Sequence, residues 1–285
     1  MEIGIIGVGV VGGATAKVFS RVHNLHLYDK YKNECNDVEG LVNSEVVFVC
    51  VPTPMKSSGE IDYSAVYDSV EFLHGEVIRS GKRLEDILVA IRSTAVSGTT
   101  DKLAQRYSFK FAFNPEFLRE RHALEDMEDT DRVVIGANDE KSIEKMLAVY
   151  KPLFPDARYV LVDRKTAEMV KYVANVFLAS QVAIANEIYG ICQALGVDYD
   201  AVKNTVLLDG RIARNIDVPG PDGDFGFGGK CFPKDLNALI YLARENMYRP
   251  HLLEEVWRLN EKIRRNKDWL DIPGATSENN DFKKE

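Results

Sequence analysis

The stretch Glu2-Ile3-Gly4-Ile5-Ile6-Gly7-Val8-Gly9-Val10-Val11-Gly12 decides the fold of this chain. Residues 2–7 read as a short buried strand, and a helix over 12–21 should follow it. Between them stands G-x-G-x-x-G. Gly7 permits the tight turn, and Gly9 admits a pyrophosphate against the backbone. Gly12 lets helix and strand pack closely, while the turn through Val10 and Val11 points the helix amino end at the phosphates. Asp29 ends the next strand, seventeen residues past Gly12 and near the spacing of a ribose-binding acid. A structural glycine turn would lack that acid. An Asp at this position favours NAD over NADP, although Lys30 and Lys32 lie beside it.

The same alternation continues outward. Strand-like runs at 25–29, 46–51, 87–91, 109–113, 132–135 and 159–161 are separated by helical spacing at 64–80, 99–106 and 141–153. Strands alternating with helices predict an α/β fold, a Rossmann-like doubly wound parallel sheet over residues 1–163. The pattern then changes. Residues 166–195 form one helical run without Pro, and further helices are expected at 199–208, 234–246 and 251–265. Residues 164–268 therefore read as an all-helical second domain. The polar stretch 269–285 reads as a disordered tail.

A net charge of −8 argues against a nucleic-acid or anionic-membrane partner. No apolar run reaches the length of a membrane span, and Met1 leads straight into a strand with no signal peptide. Four widely spaced cysteines without a CxxC pair make a metal site unexpected and suggest thiols in a reducing, cytoplasmic setting.

Several polar groups fall at the carboxyl ends of strands, where ligands of such sheets bind. Val51-Pro52-Thr53-Pro54 reads equally as a ligand edge or a stiffened turn, and so does Arg92-Ser93-Thr94. Glu116 and Glu120 share one side if Glu116 opens a helical turn. They could hold a water, or be no more than a solvated acidic helix start. Lys171 and Asn175, four apart in an apolar helix, read as an interior pair with a job or as a snorkelling edge. The stretch Phe227-Gly228-Gly229-Lys230-Cys231-Phe232-Pro233-Lys234-Asp235 is the most chemical of all. Its glycines strip away side chains so that a substrate could approach the sulfur, and Lys230 and Lys234 favour the thiolate. The alternative for Cys231 is a small buried hydrophobe, which Cys35, Cys50 and Cys192 fit.

Taken together and in order, these blocks resemble the UDP-glucose/GDP-mannose dehydrogenase family. The matching residues run from Gly7 to about Lys262. They add Asp131-Arg132-Val133-Val134-Ile135-Gly136, Ala167-Glu168, Asn186-Glu187 and Asp209-Gly210-Arg211-Ile212 to those quoted above. The resemblance implies oxidation of a nucleotide-sugar C6 alcohol to a carboxylate with two NAD, of the UDP-glucose to UDP-glucuronate type. It makes Cys231 the nucleophile, through a thiohemiacetal and a thioester. Lys171 and Asn175 would stabilise the oxyanion, and Glu120 would serve as base in hydrolysis. Thr94, Glu116 and Asp235 would organise water and protons. Cofactor contacts would include Gly7, Gly9, Val10, Val11, Gly12, Asp29, Lys30, Thr53, Thr94, Glu120 and Lys234. Glu116, Phe117, Leu118, Lys171, Asn175, Phe225, Phe227 and Gly228 would face the substrate. Arg211 would reach the sugar in a neighbouring subunit, and the 166–195 helix would be the core of a homodimer.

The chain also departs from the family. Members carry a third, nucleotide-binding domain after the helical one, and this sequence stops where it would begin. Residues 219–225 are longer and more acidic than usual, with Asp222 and Asp224 the first place to look for how the loop holds a nucleotide sugar. Lys230 and Arg121 replace other residues. Two other readings are a two-domain dehydrogenase for a smaller hydroxy substrate and an NAD-binding module without turnover.

Overall fold

The computed structural model describes residues 1–212 and 215–278. The chain divides into two compact units. The first comprises residues 1–53 and 63–171, and the second comprises 54–62 and 172 onward.

The first unit alternates strand and helix: β1 (Glu2–Ile6), α1 (Val10–Phe19), β2 (Asn24–Tyr28), α2 (Val38–Asn43), β3 (Val46–Val49), α3 (Ser64–Ser80), β4 (Leu88–Ile91) and α4 (Thr99–Arg106). It continues through β5 (Lys110–Phe113), α5 (Ala123–Glu128), β6 (Arg132–Ala137), α6 (Glu140–Tyr150) and β7 (Arg158–Val162). The strand order is β2-β1-β3-β4-β5-β6-β7. Every neighbouring pair is parallel except β5 and β6, which run antiparallel. The expected Rossmann-like sheet is thus present, with one antiparallel junction that a strand–helix alternation does not reveal. β3 is buried along its whole length, because the sheet is covered on both faces. One core packs Phe19, Phe48, Met146 and Tyr150, and another packs Val47, Val66, Leu73 and Phe111. Strand order reverses between β1 and β3, so the crevice at that edge lies over the Gly7–Gly12 turn.

A 32-residue helix, α7 (Arg164–Leu195), begins in the first unit. Its first turns are pinned there. Gly136 lies so close to Ala167 that a Cβ on it would come within 2.4 Å of the Ala167 Cβ. The fully buried Glu168 carboxylate accepts from the Gly98 and Thr100 amides and from the Thr100 hydroxyl. Gly98 gives α4 no side-chain cap, so Glu168 supplies the acceptor for its orphan donors.

The second unit contains the remainder of α7 with α8 (Tyr199–Val206), α9 (Phe232–Glu245) and α10 (His251–Ile263). Val176, Ala183, Phe227, Leu236, Ile240 and Val256 form its main core. The division between units falls inside α7, and segment 54–62 joins the second unit. Both differ from the boundary after residue 163 expected from sequence. The reason is that Met55 pairs with the C-terminal stretch. Its amide donates to Ala275 O (3.0 Å), and its carbonyl accepts from the Ser277 amide (2.8 Å).

That pairing also corrects the expectation of a disordered tail. Residues 269–278 are held by buried Trp269, Ala275 and Thr276, and Trp269 packs on Trp257. A few apolar anchors outweigh the polar average on which the tail reading rests. Residues 279–285 lie outside the described residues.

Candidate active site

In the first unit the glycine turn has the geometry its spacing predicts. Gly7 has φ +88°, and a Cβ there would come within 2.7 Å of Cys50 O. A Cβ on Gly12 would lie 1.9 Å from Gly7 O, so only glycine lets α1 pack this close to the turn. Gly9 is the opposite case, with nothing within 4 Å of the missing Cβ. That open space is where a pyrophosphate can meet backbone N–H groups at the start of α1, beside half-exposed Val10 and part-buried Val11. The Asp29 carboxylate accepts from the amides of Val8 (2.8 Å) and Tyr31 (3.0 Å) and is thereby oriented at the end of β2. Lys32 donates to Val8 O at 2.8 Å. It steadies the turn from outside, while Lys30 lies exposed beside the Tyr31 ring. The residues present fit NAD.

Thr53 is buried and Thr94 half-buried at the ends of neighbouring strand connections. Arg92, in the same motif as Thr94, is a packed structural group. Its guanidinium donates to Asn114 Oδ1 (2.5 Å) and Tyr150 Oη (3.0 Å). Burial pushes the Tyr150 phenol up to about 12 and the Cys50 thiol up to about 12. Cys50, part-buried against the first core, is thus held as the thiol.

Glu116 and Glu120 do not share a helical face. The chain is non-helical from Asn114 to Arg119, and a single 3₁₀ turn starts only at Glu120. Pro115 removes a backbone donor and stiffens the chain where that turn would have to begin. Glu120 is exposed. Glu116 is buried, with one oxygen 2.9 Å from Lys171 Nζ and the other accepting from the Leu118 amide (2.7 Å). Lys171 also lies 5.8 Å from the centre of the Phe117 ring. The interior reading of Lys171 therefore holds over the snorkelling one, since a buried ammonium needs such a partner.

In the second unit α9 starts at the cysteine. Cys231 is its N-cap residue and is exposed, and Pro233 occupies the first turn, where its missing N–H costs nothing. One turn on, Asp235 is almost fully buried. Its carboxylate accepts from Lys234 Nζ and from Asn175 Nδ2, both at 2.5 Å, and its amide bonds back to Cys231 O (2.8 Å). A buried ammonium and carboxylate at the start of α9 thus meet a buried amide from α7 one turn past the thiol-bearing residue. Asn175 sits one turn beyond Lys171 on α7.

The substrate-facing expectations fare unevenly. Phe225 is part-buried, with the Arg265 guanidinium 5.0 Å from its ring centre. Phe227 belongs to the core, and both its backbone groups bond to Asn260. The space beside Gly228 is filled by Arg264 and Asp268, so a side chain at this position would meet protein. Gly229, at φ +73°, has open space where its Cβ would be. Arg211 is 90 % exposed along its side chain and chelated by Asp209. Asp222 and Asp224 face Arg264 and the Arg265 and Asn266 amides, which accounts for the acidic insertion without a sugar. Sequence reasoning missed Asn260, Arg264 and Asp268. The one signal was a buried-face position for Asn260 in an amphipathic helix.

Fold and sites together define a two-unit chain with an NAD-binding sheet and a cysteine at a helix start. Residues 25–154 match the NAD binding domain of the UDP-glucose/GDP-mannose dehydrogenase family, and residues 165–262 match its central domain. A UDP-glucose 6-dehydrogenase of Rickettsia bellii is 37% identical, over 79% of this chain and 51% of that protein. One from Haloferax volcanii is 30% identical, over 92% of this chain and 70% of that protein. The structure titled a UDP-glucose dehydrogenase from Pyrobaculum islandicum superposes with a TM-score of 0.81 at 32% identity, covering 91% of this chain and 68% of that one. The chain belongs to the UDP-glucose/GDP-mannose dehydrogenase family. It spans about half the length of the Rickettsia protein. Among the described residues no helix is long and apolar enough to cross a membrane, and no group of three or more acidic, His or Cys side chains is placed to hold a metal ion.

Proposed function

We propose that this chain carries the NAD-dependent oxidation of a nucleotide-sugar C6 alcohol to the carboxylate, with UDP-glucose the first candidate. The observation that carries the reading is the exposed Cys231 at the start of α9, backed by the buried Lys234–Asp235–Asn175 set. NAD supplies the hydride acceptor for both oxidations. The alcohol first loses a hydride and a proton to give the aldehyde. The Cys231 thiolate adds to that aldehyde, forming a C–S bond and an oxyanion. Lys171 and Asn175 are the donors for that oxyanion. Loss of a second hydride gives a thioester. Water, deprotonated by Glu120, then releases the acid and returns the thiol. Glu116, Thr94 and Asp235 order water and protons, and Thr53 and Lys234 line the cofactor side. Phe117, Leu118, Phe225 and Arg211 are the remaining candidates for the sugar side. A reducing, cytoplasmic setting belongs to this reading, because the cysteine acts as a thiol.

The test is NADH formation with reductant present against a panel of UDP-, GDP- and ADP-sugars, with product mass measured. Two NADH per acid are expected from one sugar. Cys231→Ser should abolish acid formation while NAD binding persists. No NADH from any sugar, or full acid formation by Cys231→Ser, would sink the reading.

A homodimer through α7 is part of the same proposal. Phe177, Ile184, Ile188, Ile191 and Leu195 are exposed at spacings of seven, four, three and four, a single apolar stripe. Sedimentation should give a dimer that Ile184→Glu with Ile188→Glu dissociates. A wild-type monomer at micromolar concentration would refute it.

A further inference from the structure

We propose that Arg264 and Asp268, in the turn after α10, are positioning residues for the cysteine loop. The inference deepens the function proposed above, since it concerns how that reaction's thiol is held. From Phe225 to Gly229 the loop is gripped by residues 260–268, with the Gly226 amide also donating to Asn186 Oδ1 of α7 (3.1 Å). Phe225 O accepts from Arg264 Nη1 (3.5 Å). Phe227 exchanges both backbone bonds with Asn260, at 2.7 and 2.9 Å. The Gly229 amide donates to both Asp268 oxygens, at 3.1 Å each. The segment is bent, with Gly226 at φ +66° and Gly229 at φ +73°, and its glycines leave room for the gripping side chains. A Cβ on Gly226 would lie 2.2 Å from Asn260 Oδ1, and one on Gly228 would lie 2.2 Å from Arg264 Nη2 and 2.3 Å from Asp268 Oδ1.

Arg264 ties the grip together. Its side chain is 2 % exposed and faces three carboxylates: Asp222 at 2.6 Å, Asp268 at 3.4 Å and Asp224 at 3.7 Å. Its Nε also donates to Asn266 O (2.9 Å). Asp224 in turn accepts from the Asn266 amide (2.8 Å). The acidic insertion and the turn after α10 are therefore two halves of one clamp, with a buried guanidinium between them. Gly229 stands two residues before Cys231. On the far side of Gly229, Lys230 Nζ reaches Pro273 O (3.4 Å) in the same C-terminal stretch. The loop that carries the thiol is thus fixed by residues 260–273. This assigns a catalytic consequence to residues that the sequence places only at the end of the helical domain.

The experiment compares wild type with Asp268→Asn, Arg264→Lys and Gly228→Ala in the full chain. Three quantities are read: amide exchange of the peptide spanning 226–231, the iodoacetamide alkylation rate of Cys231, and kcat against KM. In each folded variant, exchange of that peptide should rise at least tenfold. Alkylation should slow at least threefold, because a loosened loop takes the sulfur away from the amino end of α9. Where turnover is measurable, kcat should fall at least tenfold, with NAD affinity within twofold of wild type. Should Arg264→Lys or Gly228→Ala fail to fold, the near-isosteric Asp268→Asn decides. Unchanged exchange and alkylation in Asp268→Asn overturn the proposal. Neither of those readouts needs a substrate. A wild type without activity on any sugar would therefore remove the functional reading and leave this one to its own test.

Discussion

Two glycine-rich turns in this protein share a residue type and use it in opposite ways. In the first unit Gly12 is demanded by main chain, since its Cβ would lie 1.9 Å from Gly7 O, while Gly9 faces open space. In the second unit Gly226 and Gly228 are demanded by side chains that arrive from α10 and the turn after it, and Gly229 faces open space. The Gly12 contact of the first turn is local, five residues along the chain, while Gly7 there meets Cys50 O at the end of β3. The second is completed by residues more than thirty positions away. Each turn leaves one open glycine, next to the phosphate cradle in one case and to Cys231 in the other. A glycine motif thus records two things, where a ligand can come close and where the protein itself must.

The comparison can be broken from the main-chain side first. Gly12→Ala should be the most damaging change, because a fixed carbonyl cannot move aside. A loss of about 3 kcal/mol in folding stability is expected, read by urea denaturation with NAD absent. A stability equal to wild type would mean that α1 can shift, and the contrast would collapse. Gly9→Ala comes next. Its Cβ meets nothing, so stability should stay within about 1 kcal/mol of wild type. NAD affinity should nonetheless fall about tenfold, or about 1.4 kcal/mol, because the pyrophosphate loses its backbone approach. Calorimetry with unchanged affinity would show that the open space is not the cradle.

The smallest effect concerns a side-chain-filled glycine in the first unit. Above Gly40 sits the His26 ring, with Nδ1 2.6 Å from Asp37 and Nε2 2.6 Å from Glu2. Burial works against the imidazolium, but the hydrogen bonds to Asp37 and Glu2 prevail and raise its pKa. A raised histidine contributes stability that is complete below its unfolded value of about 6.5 and is lost as pH rises through the folded value. Asp37 and Glu2 are lowered, chiefly by hydrogen bonds to His26 and Asn24 respectively, with His26 also bonding Glu2. Their contribution is present above the unfolded carboxylate range and is lost as pH falls through the folded values. Wild type should therefore lose a little stability between pH 6 and 8 that His26→Gln does not lose. Parallel denaturation curves at the two pH values for both proteins would remove this cluster from the account.

The α/β alternation, the glycine turn and Asp29 were legible in sequence because each rests on neighbours close along the chain. Lys171 and Asn175 were legible as a pair, since helical spacing places them one turn apart. Their partners were not, because Glu116 and Asp235 are brought to them by packing. A shared face for Glu116 and Glu120 depended on a helical turn at Glu116, and the backbone there is not helical. The antiparallel β5–β6 junction and the ordered 269–278 stretch escaped because strand direction and burial are not functions of local composition.

By itself the sequence determined the nucleotide turn, the change from alternating strands to helices, and a lone cysteine among glycines and lysines. Those features follow from φ restriction, side-chain period and residue chemistry, all of short range. Only the tertiary structure decided which glycines are open and which are filled, and that Asp222 and Asp224 grip Arg264. It also decided that residues past α10 hold the cysteine loop. Those outcomes depend on which surfaces meet when apolar area is buried, and a buried charge then settles on whatever opposite charge the packing brings within reach.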